Sequence, residues 1–83
     1  MRLSLLMKLI EEEIGTEIFL RYSGISESTL REMRELEDKW AGGEPTCSLK
    51  EYAGYYNFCA EVSQAASLIS ETFKGVGVDP KKL

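Results

Sequence analysis

Apolar residues recur every three or four positions over most of the chain, which is the spacing of helices that pack along one face. The first such stretch covers residues 2–14, and Gly15 follows it where a helix would end. Two further leucines, Leu5 and Leu9, widen the stripe and indicate contact with more than one neighbour. The sequence therefore predicts a first helix whose buried face consists of Leu3, Leu6, Met7, Ile10 and Ile14.

A tight turn between two helices is predicted around Gly24. Thr16 is expected to cap a short second helix over residues 17–22. Gly24 can adopt the positive φ that ends a helix, and Ile25 can fold back onto the helix that has just ended. Ser26 is a good N-cap for the next helix. The inward residues predicted for the second helix are Ile18, Phe19 and Tyr22.

The third helix is predicted over residues 27–41, with Leu30, Met33, Leu36 and Trp40 on its inner face. Gly42 and Gly43 should end it, because glycine pairs break regular structure. Residues 42–47 form the one obvious loop, and it is too short to separate two domains. Ser48 and Glu51 then have the spacing of a capping box, which predicts the start of a fourth helix.

The fourth helix is predicted to run to about Lys74, with Gly75 as its end and a bend at Gly54. Its length exceeds what three short helices can easily cover, so we expect its apolar seam to form a homodimer interface. The alternative is that this seam packs within a single chain. The predicted interface consists of Tyr55, Cys59, Val62, Ala66, Ile69 and Phe73.

Composition favours one small folded domain. The 83 residues are 43% hydrophobic and 29% charged, which is typical of an ordered protein. We predict an all-α fold, with a single helical domain over residues 1–75 and a loosely ordered tail over residues 76–83. The net charge of −4 is spread without a basic segment, which argues against nonspecific binding to nucleic acid or to anionic membranes.

Residues that carry catalytic or metal chemistry are scarce. The chain has no histidine, and Cys47 and Cys59 are predicted to lie too far apart for a disulfide. We therefore predict that the protein is not an enzyme and that it binds no metal and no cofactor. A reducing cytoplasmic location is also predicted. Cys59 is interpreted as a small buried hydrophobe and residues 11–13 as a solvated acidic face. An aromatic cluster, interpreted as core or interface rather than a nucleic-acid platform, consists of Tyr52, Tyr55, Tyr56 and Phe58.

Residues 16–33 resemble the helix-turn-helix of phage repressor (Cro/C1-type) and excisionase-like regulators. The likeness rests on glycine in the turn and on apolar residues at Phe19, Ile25, Leu30 and Met33. Residues 48–53 resemble the helix that follows in the repressor pattern. The sequence departs from the pattern at Leu20, where the family usually has a small residue, and at Ser23, where it often has an apolar one.

The resemblance implies a small DNA-binding regulator. It would place residues of the second and third helices at DNA, namely Thr16, Arg21, Glu27, Ser28, Arg31 and Arg34. Glu32 and Glu35 would face the major groove as well, where a glutamate can accept from a cytosine amino group but repels phosphates. The alternative function is an acidic helical module that binds a protein partner, such as a small phage-type inhibitor or adaptor.

Overall fold

The computed structural model describes residues 2–41 and 48–82, apart from the side chains at positions 40, 41 and 49. Its described residues form the helices α1 (Leu3–Glu13), α2 (Thr16–Ser23), α3 (Glu27–Ala41) and α4 (Leu49–Val76), followed by a 3-10 turn at Pro80–Lys82. The predicted all-α class with a long C-terminal helix is confirmed. The predictions for Trp40, for the helix end at Gly42 and Gly43, for the loop over residues 42–47 and for Cys47 lie outside the described residues.

A single apolar core joins the helices. It contains Leu3, Leu6, Ile10 and Ile14 at α1, Phe19 of α2, Leu30 of α3, and Tyr55, Phe58, Cys59, Val62 and Ile69 of α4. Helix α1 packs against each of the other three helices, and α4 packs against α1 and α2. Half-buried side chains such as Met33 and Phe73 border this core. The periodic stripes predicted for α1 and for α4 therefore face this core within one chain, with Met7, Ala66 and Phe73 half-buried at its edge.

The junction between α1 and α2 differs from the prediction at Thr16. Gly15, with φ +94°, takes the N-cap position, and Thr16 is the first residue of α2. The capping is done by Glu11, whose carboxylate accepts a hydrogen bond from the Thr16 amide at 2.8 Å and another from the Thr16 hydroxyl. The prediction that Thr16 is the N-cap is wrong, because a carboxylate of the preceding helix reaches the free amide at the start of α2.

The C-terminus of α4 lies two residues beyond the predicted position. Gly77 adopts a left-handed conformation with φ +73°, its amide donates to the Lys74 carbonyl, and the Val78 amide donates to the Phe73 carbonyl at 3.0 Å. These two bonds form a Schellman motif, which usually places an apolar residue against the third residue from the helix end. With the helix ending at Gly77, the motif pairs Val78 with the apolar Phe73 through this backbone bond, whereas an end at Gly75 would pair Val76 with Glu71.

Part of the predicted loosely ordered tail contacts the helices. Val76 belongs to α4, and the side-chain ammonium of Lys81 donates a hydrogen bond to the Glu12 carbonyl at 2.9 Å. The positive charge of Lys81 therefore lies at the C-terminus of α1, where a helix dipole favours a cation.

Candidate functional site

The turn between α2 and α3 has the geometry that the sequence predicts. Gly24 ends α2 with φ +74°, and the Ser23 hydroxyl accepts a hydrogen bond from the Ile25 amide at 3.1 Å. The Ser26 hydroxyl accepts from the Thr29 amide at 3.2 Å and so caps α3. The two helices are therefore joined by a three-residue connection that is fixed at both ends.

A groove of about 330 Å³ opens between α2 and α3, and we call it the α2–α3 groove. Met7, Leu20 and Leu30 supply its apolar part. Four of the six residues predicted to bind DNA line it, which brings together side chains that are up to 18 positions apart in sequence. These four are Thr16, Glu27, Arg31 and Arg34, and two further acidic residues, Glu35 and Asp38, line the same groove.

Arg21 and Ser28 are not among the residues that line this groove. Arg21 lines a separate cleft together with Glu17 and Lys81, and its guanidinium lies 3.7 Å from the Glu17 carboxylate. Ser28 is exposed in the first turn of α3, and its hydroxyl lies 3.2 Å from the Ser26 hydroxyl. The structure therefore separates the predicted set into a groove group and two outlying residues.

Acidic groups outnumber basic ones on the exposed part of α3. The exposed carboxylates are those of Glu27, Glu32, Glu35 and Asp38, and the exposed bases are Arg31, Arg34 and Lys39. Arg31 lies 3.7 Å from Glu27, with both side chains at least 70% exposed. Such exposed pairs contribute little to stability, so Arg31 can exchange Glu27 for another anion at small cost.

The predicted homodimer seam lies inside the monomer. Four of its six side chains are buried against the chain's own helices, and Val62 is completely inaccessible to solvent. The other two, Ala66 and Phe73, are half-buried and pack against the same core. The expectation that Tyr55, Cys59, Val62, Ala66, Ile69 and Phe73 present an uncovered face is therefore wrong, because α1 and α2 cover more of α4 than their short lengths suggested.

The aromatic cluster of α4 is divided between core and surface. Tyr55 and Phe58 are buried, whereas Tyr52 and Tyr56 are exposed. Cys59 is buried as predicted, and burial raises the pKa of its thiol, which keeps the sulfur in its less reactive protonated form. Tyr22, predicted to point inward, is 56% exposed and makes an edge-on contact with Phe73 at a ring distance of 5.8 Å.

A polar cluster at the start of α1 was missed by the sequence analysis. The Glu37 carboxylate of α3 accepts hydrogen bonds from the Ser4 amide at 3.1 Å and from the Ser4 hydroxyl at 2.6 Å. The Tyr55 hydroxyl of α4 donates to Glu37 at 3.1 Å and accepts from the Leu3 amide at 2.9 Å. Two of the free amides at the N-terminus of α1 are therefore satisfied here, that of Ser4 by Glu37 and that of Leu3 by Tyr55, which Glu37 in turn holds in place.

The pKa values within this cluster follow from its hydrogen bonds. Burial tends to raise the pKa of Glu37, but the hydrogen bonds from Ser4 and Tyr55 together outweigh it and leave that pKa lowered. Burial, with the nearby Glu37 charge as a smaller cause, raises the pKa of Tyr55 to about 12. The signal in the sequence was the position of Glu37, seven residues after Leu30 and so near the inner face of α3.

Comparison with family models, with curated proteins and with solved structures gives no match to this chain. Within the described residues, none of the helices combines the length and the apolar character needed to cross a bilayer.

Proposed function

We propose that this chain is a small cytoplasmic regulatory protein that binds DNA through a helix-turn-helix formed by α2 and α3. The observation that carries the proposal is the grouping of Thr16, Glu27, Arg31 and Arg34 at one groove beside a capped three-residue turn. In proteins of the helix-turn-helix type, residues near the N-terminus of the second helix reach base edges and the first helix crosses the phosphate backbone. Here the corresponding elements are the first turns of α3 and the N-terminus of α2.

The arginines have distinct roles in this proposal. Arg31 and Arg34 lie one turn apart on the groove side of α3 and neutralise successive backbone phosphates, which fixes the position of the helix on the duplex. Arg31 leaves Glu27 when it binds phosphate, and Glu27 then accepts a hydrogen bond from a cytosine amino group. Because Glu32, Glu35 and Asp38 repel phosphates, binding is weak on nonspecific DNA and depends on a matching sequence.

Fluorescence anisotropy with a library of labelled 30-bp duplexes at about 50 mM salt tests this role. We expect Arg31→Ala and Arg34→Ala each to weaken binding and to lower the dependence of log affinity on log salt by about one phosphate contact. Glu35→Gln should strengthen binding, because it removes a negative charge from the same groove. Lys50→Ala is the control, since Lys50 is an exposed base on α4 and does not line the α2–α3 groove.

A lack of binding to every member of the library at this salt concentration would reject the regulator. The second candidate would then lead, an acidic module that docks on a basic protein surface. The observation that favours it is the excess of exposed carboxylates over bases on α3. In that case Glu32→Lys with Glu35→Lys should abolish capture of the partner, whereas Arg34→Ala should leave capture intact.

A further inference from the structure

Residues 77–82, which we call the return segment, fold back from the end of α4 onto the junction between α1 and α2. The side-chain ammonium of Lys81 donates a hydrogen bond to the Glu12 carbonyl at 2.9 Å, across 69 positions of sequence. Pro80 is half-buried in this otherwise exposed segment, and it lines a cleft of about 420 Å³ together with Ile14 and Lys81. The return segment therefore forms one wall of the cleft and is joined to α1 by a charged hydrogen bond.

The return segment is ordered by hydrogen bonds of its own. The left-handed Gly77 reverses the chain at the end of α4, and Pro80 has a restricted φ. The Asp79 carboxylate accepts a hydrogen bond from the Lys81 amide at 3.0 Å, and the Asp79 carbonyl accepts one from the Lys82 amide at 3.0 Å. Because the turn is already formed, less conformational entropy is lost when the Lys81 ammonium binds α1.

The charges at the end of α1 explain why a lysine binds there. Residues 11–13 are all glutamates, residues 10–13 contain no basic residue, and the C-terminus of a helix carries a partial negative charge. Arg21, the other base that lines the cleft, lies 3.7 Å from the Glu17 carboxylate of its own helix. Lys81 therefore supplies a cation that the end of α1 lacks in its own sequence.

Lys81 also lies next to the group that caps α2. The Glu11 carboxylate accepts two hydrogen bonds from Thr16, and these bonds, with the Lys81 charge as a smaller cause, lower the pKa of Glu11. Thr16 lines the cleft beside the return segment and also the α2–α3 groove. A single side chain, that of Glu11, therefore connects the return segment to a residue of the proposed DNA site.

We propose that the return segment is a detachable strap that holds the start of α2 in place, with Lys81 as the positioning residue that acts on Thr16 through Glu11. Only its effect on DNA affinity rests on the proposed function. The attachment consists of an exposed ammonium and a half-buried proline, so the strap can open without disturbing the core. In the open state Glu11 loses its neighbouring cation and the Thr16 amide is released more often. A preorganised start of α2 binds DNA more tightly than a loosened one.

Amide hydrogen exchange of the full chain, followed by NMR, tests the strap without DNA. We expect Lys81→Met to speed exchange of the Thr16 amide at least about threefold, and Lys81→Arg to return the rate towards that of wild type because it keeps the charge. Lys82→Met is the matched control, since Lys82 is the neighbouring exposed base and does not line the cleft. Exchange of the Val62 amide should be unchanged in all three variants, which separates opening of the strap from global unfolding.

A double-mutant cycle tests the consequence for DNA. With the duplex that wild type binds best, we expect Lys81→Met to weaken binding about threefold and to have little further effect in a Glu11→Gln background. Equal effects in both backgrounds would overturn the positioning role, because Lys81 would then contact phosphate directly. Unchanged Thr16 exchange in Lys81→Met would overturn the strap even where Arg31→Ala still weakens binding. Faster exchange in a protein that binds no duplex would support the strap and reject the DNA-binding role.

Discussion

Glu37 shows how one side chain can hold three helices together. It belongs to α3, accepts two hydrogen bonds from Ser4 of α1, and accepts a third from Tyr55 of α4. A hydrogen bond to a charged group contributes about 1.5–3 kcal/mol when it is well shielded, and less when it is accessible to water. Because Glu37 is half-buried, its contribution belongs at the lower end of that range. The carboxylate acts as an N-cap supplied from a different helix.

Replacement of this carboxylate should make the protein less stable at neutral pH and less sensitive to acid. The folded-state pKa of Glu37 lies below its ordinary value of 4.5, so its stabilisation is present above that pH and is lost as the pH falls through the folded pKa. We expect Glu37→Gln to cost about 1–2 kcal/mol at pH 7 and progressively less below about pH 4. Urea unfolding at several pH values measures this.

The control for the Glu37 prediction is Glu32→Gln, which removes an exposed carboxylate from the same helix. It should change the free energy of unfolding by less than about 0.5 kcal/mol at pH 7. If Glu37→Gln and Glu32→Gln have the same pH profile, Glu37 does not cap α1 in solution.

At the scale of helices and turns, the periodic sequence predicts the helices well and their junctions less well. The α2–α3 turn was predicted correctly because its signals, Gly24 and Ser26, act on neighbouring residues. The α1–α2 junction was not, because its capping group, Glu11, lies five residues before the amide that it binds. The prediction that α4 ends at Gly75 is wrong, because glycine alone does not identify a helix end and Gly77 takes that position. The feature that distinguishes Gly77 is the hydrogen bond from the Val78 amide to the Phe73 carbonyl, which closes the motif with apolar residues at both positions.

The turn at Gly24 offers a test that separates backbone conformation from packing. A Cβ atom added there would meet no heavy atom within 4 Å, so any cost of substitution comes from the positive φ. We expect Gly24→Val to destabilise the domain by more than about 1 kcal/mol and Gly24→Asn to cost much less, since asparagine tolerates this conformation. Thermal unfolding followed by circular dichroism measures both.

Gly54 provides the matched comparison for the Gly24 variants. It is also open to an added Cβ atom, but it lies within α4 and its φ is not positive. Gly54→Ala should therefore stabilise the domain by about 0.5–1 kcal/mol. An unchanged melting midpoint in Gly24→Val would show that Gly24 is not left-handed.

For the molecule as a whole, the sequence identifies which residues are apolar and periodic but not what covers them. The same spacing of Tyr55, Cys59 and Val62 is typical of a two-chain seam and of a one-chain core. The difference depends on how far α1 and α2 extend along α4, which is a property of the three-dimensional arrangement. The same limit applies to the candidate site. Four of the six residues predicted for it meet at one groove, whereas Arg21 and Ser28 do not line that groove.

Whether Val62 belongs to a core or to a seam is tested by the dependence of its mutational effect on concentration. Val62 is inaccessible within one chain, so Val62→Ala should lower the free energy of unfolding by about 2 kcal/mol through lost burial and a small cavity. For a domain of this size the melting midpoint should fall by about 10 °C. Leu68→Ala, on an exposed part of α4, should cost less than about 0.5 kcal/mol. Because the core is intramolecular, the difference in the free energy of unfolding between wild type and Val62→Ala should be the same at low and at high protein concentration. A seam between two chains would make that difference vary with concentration.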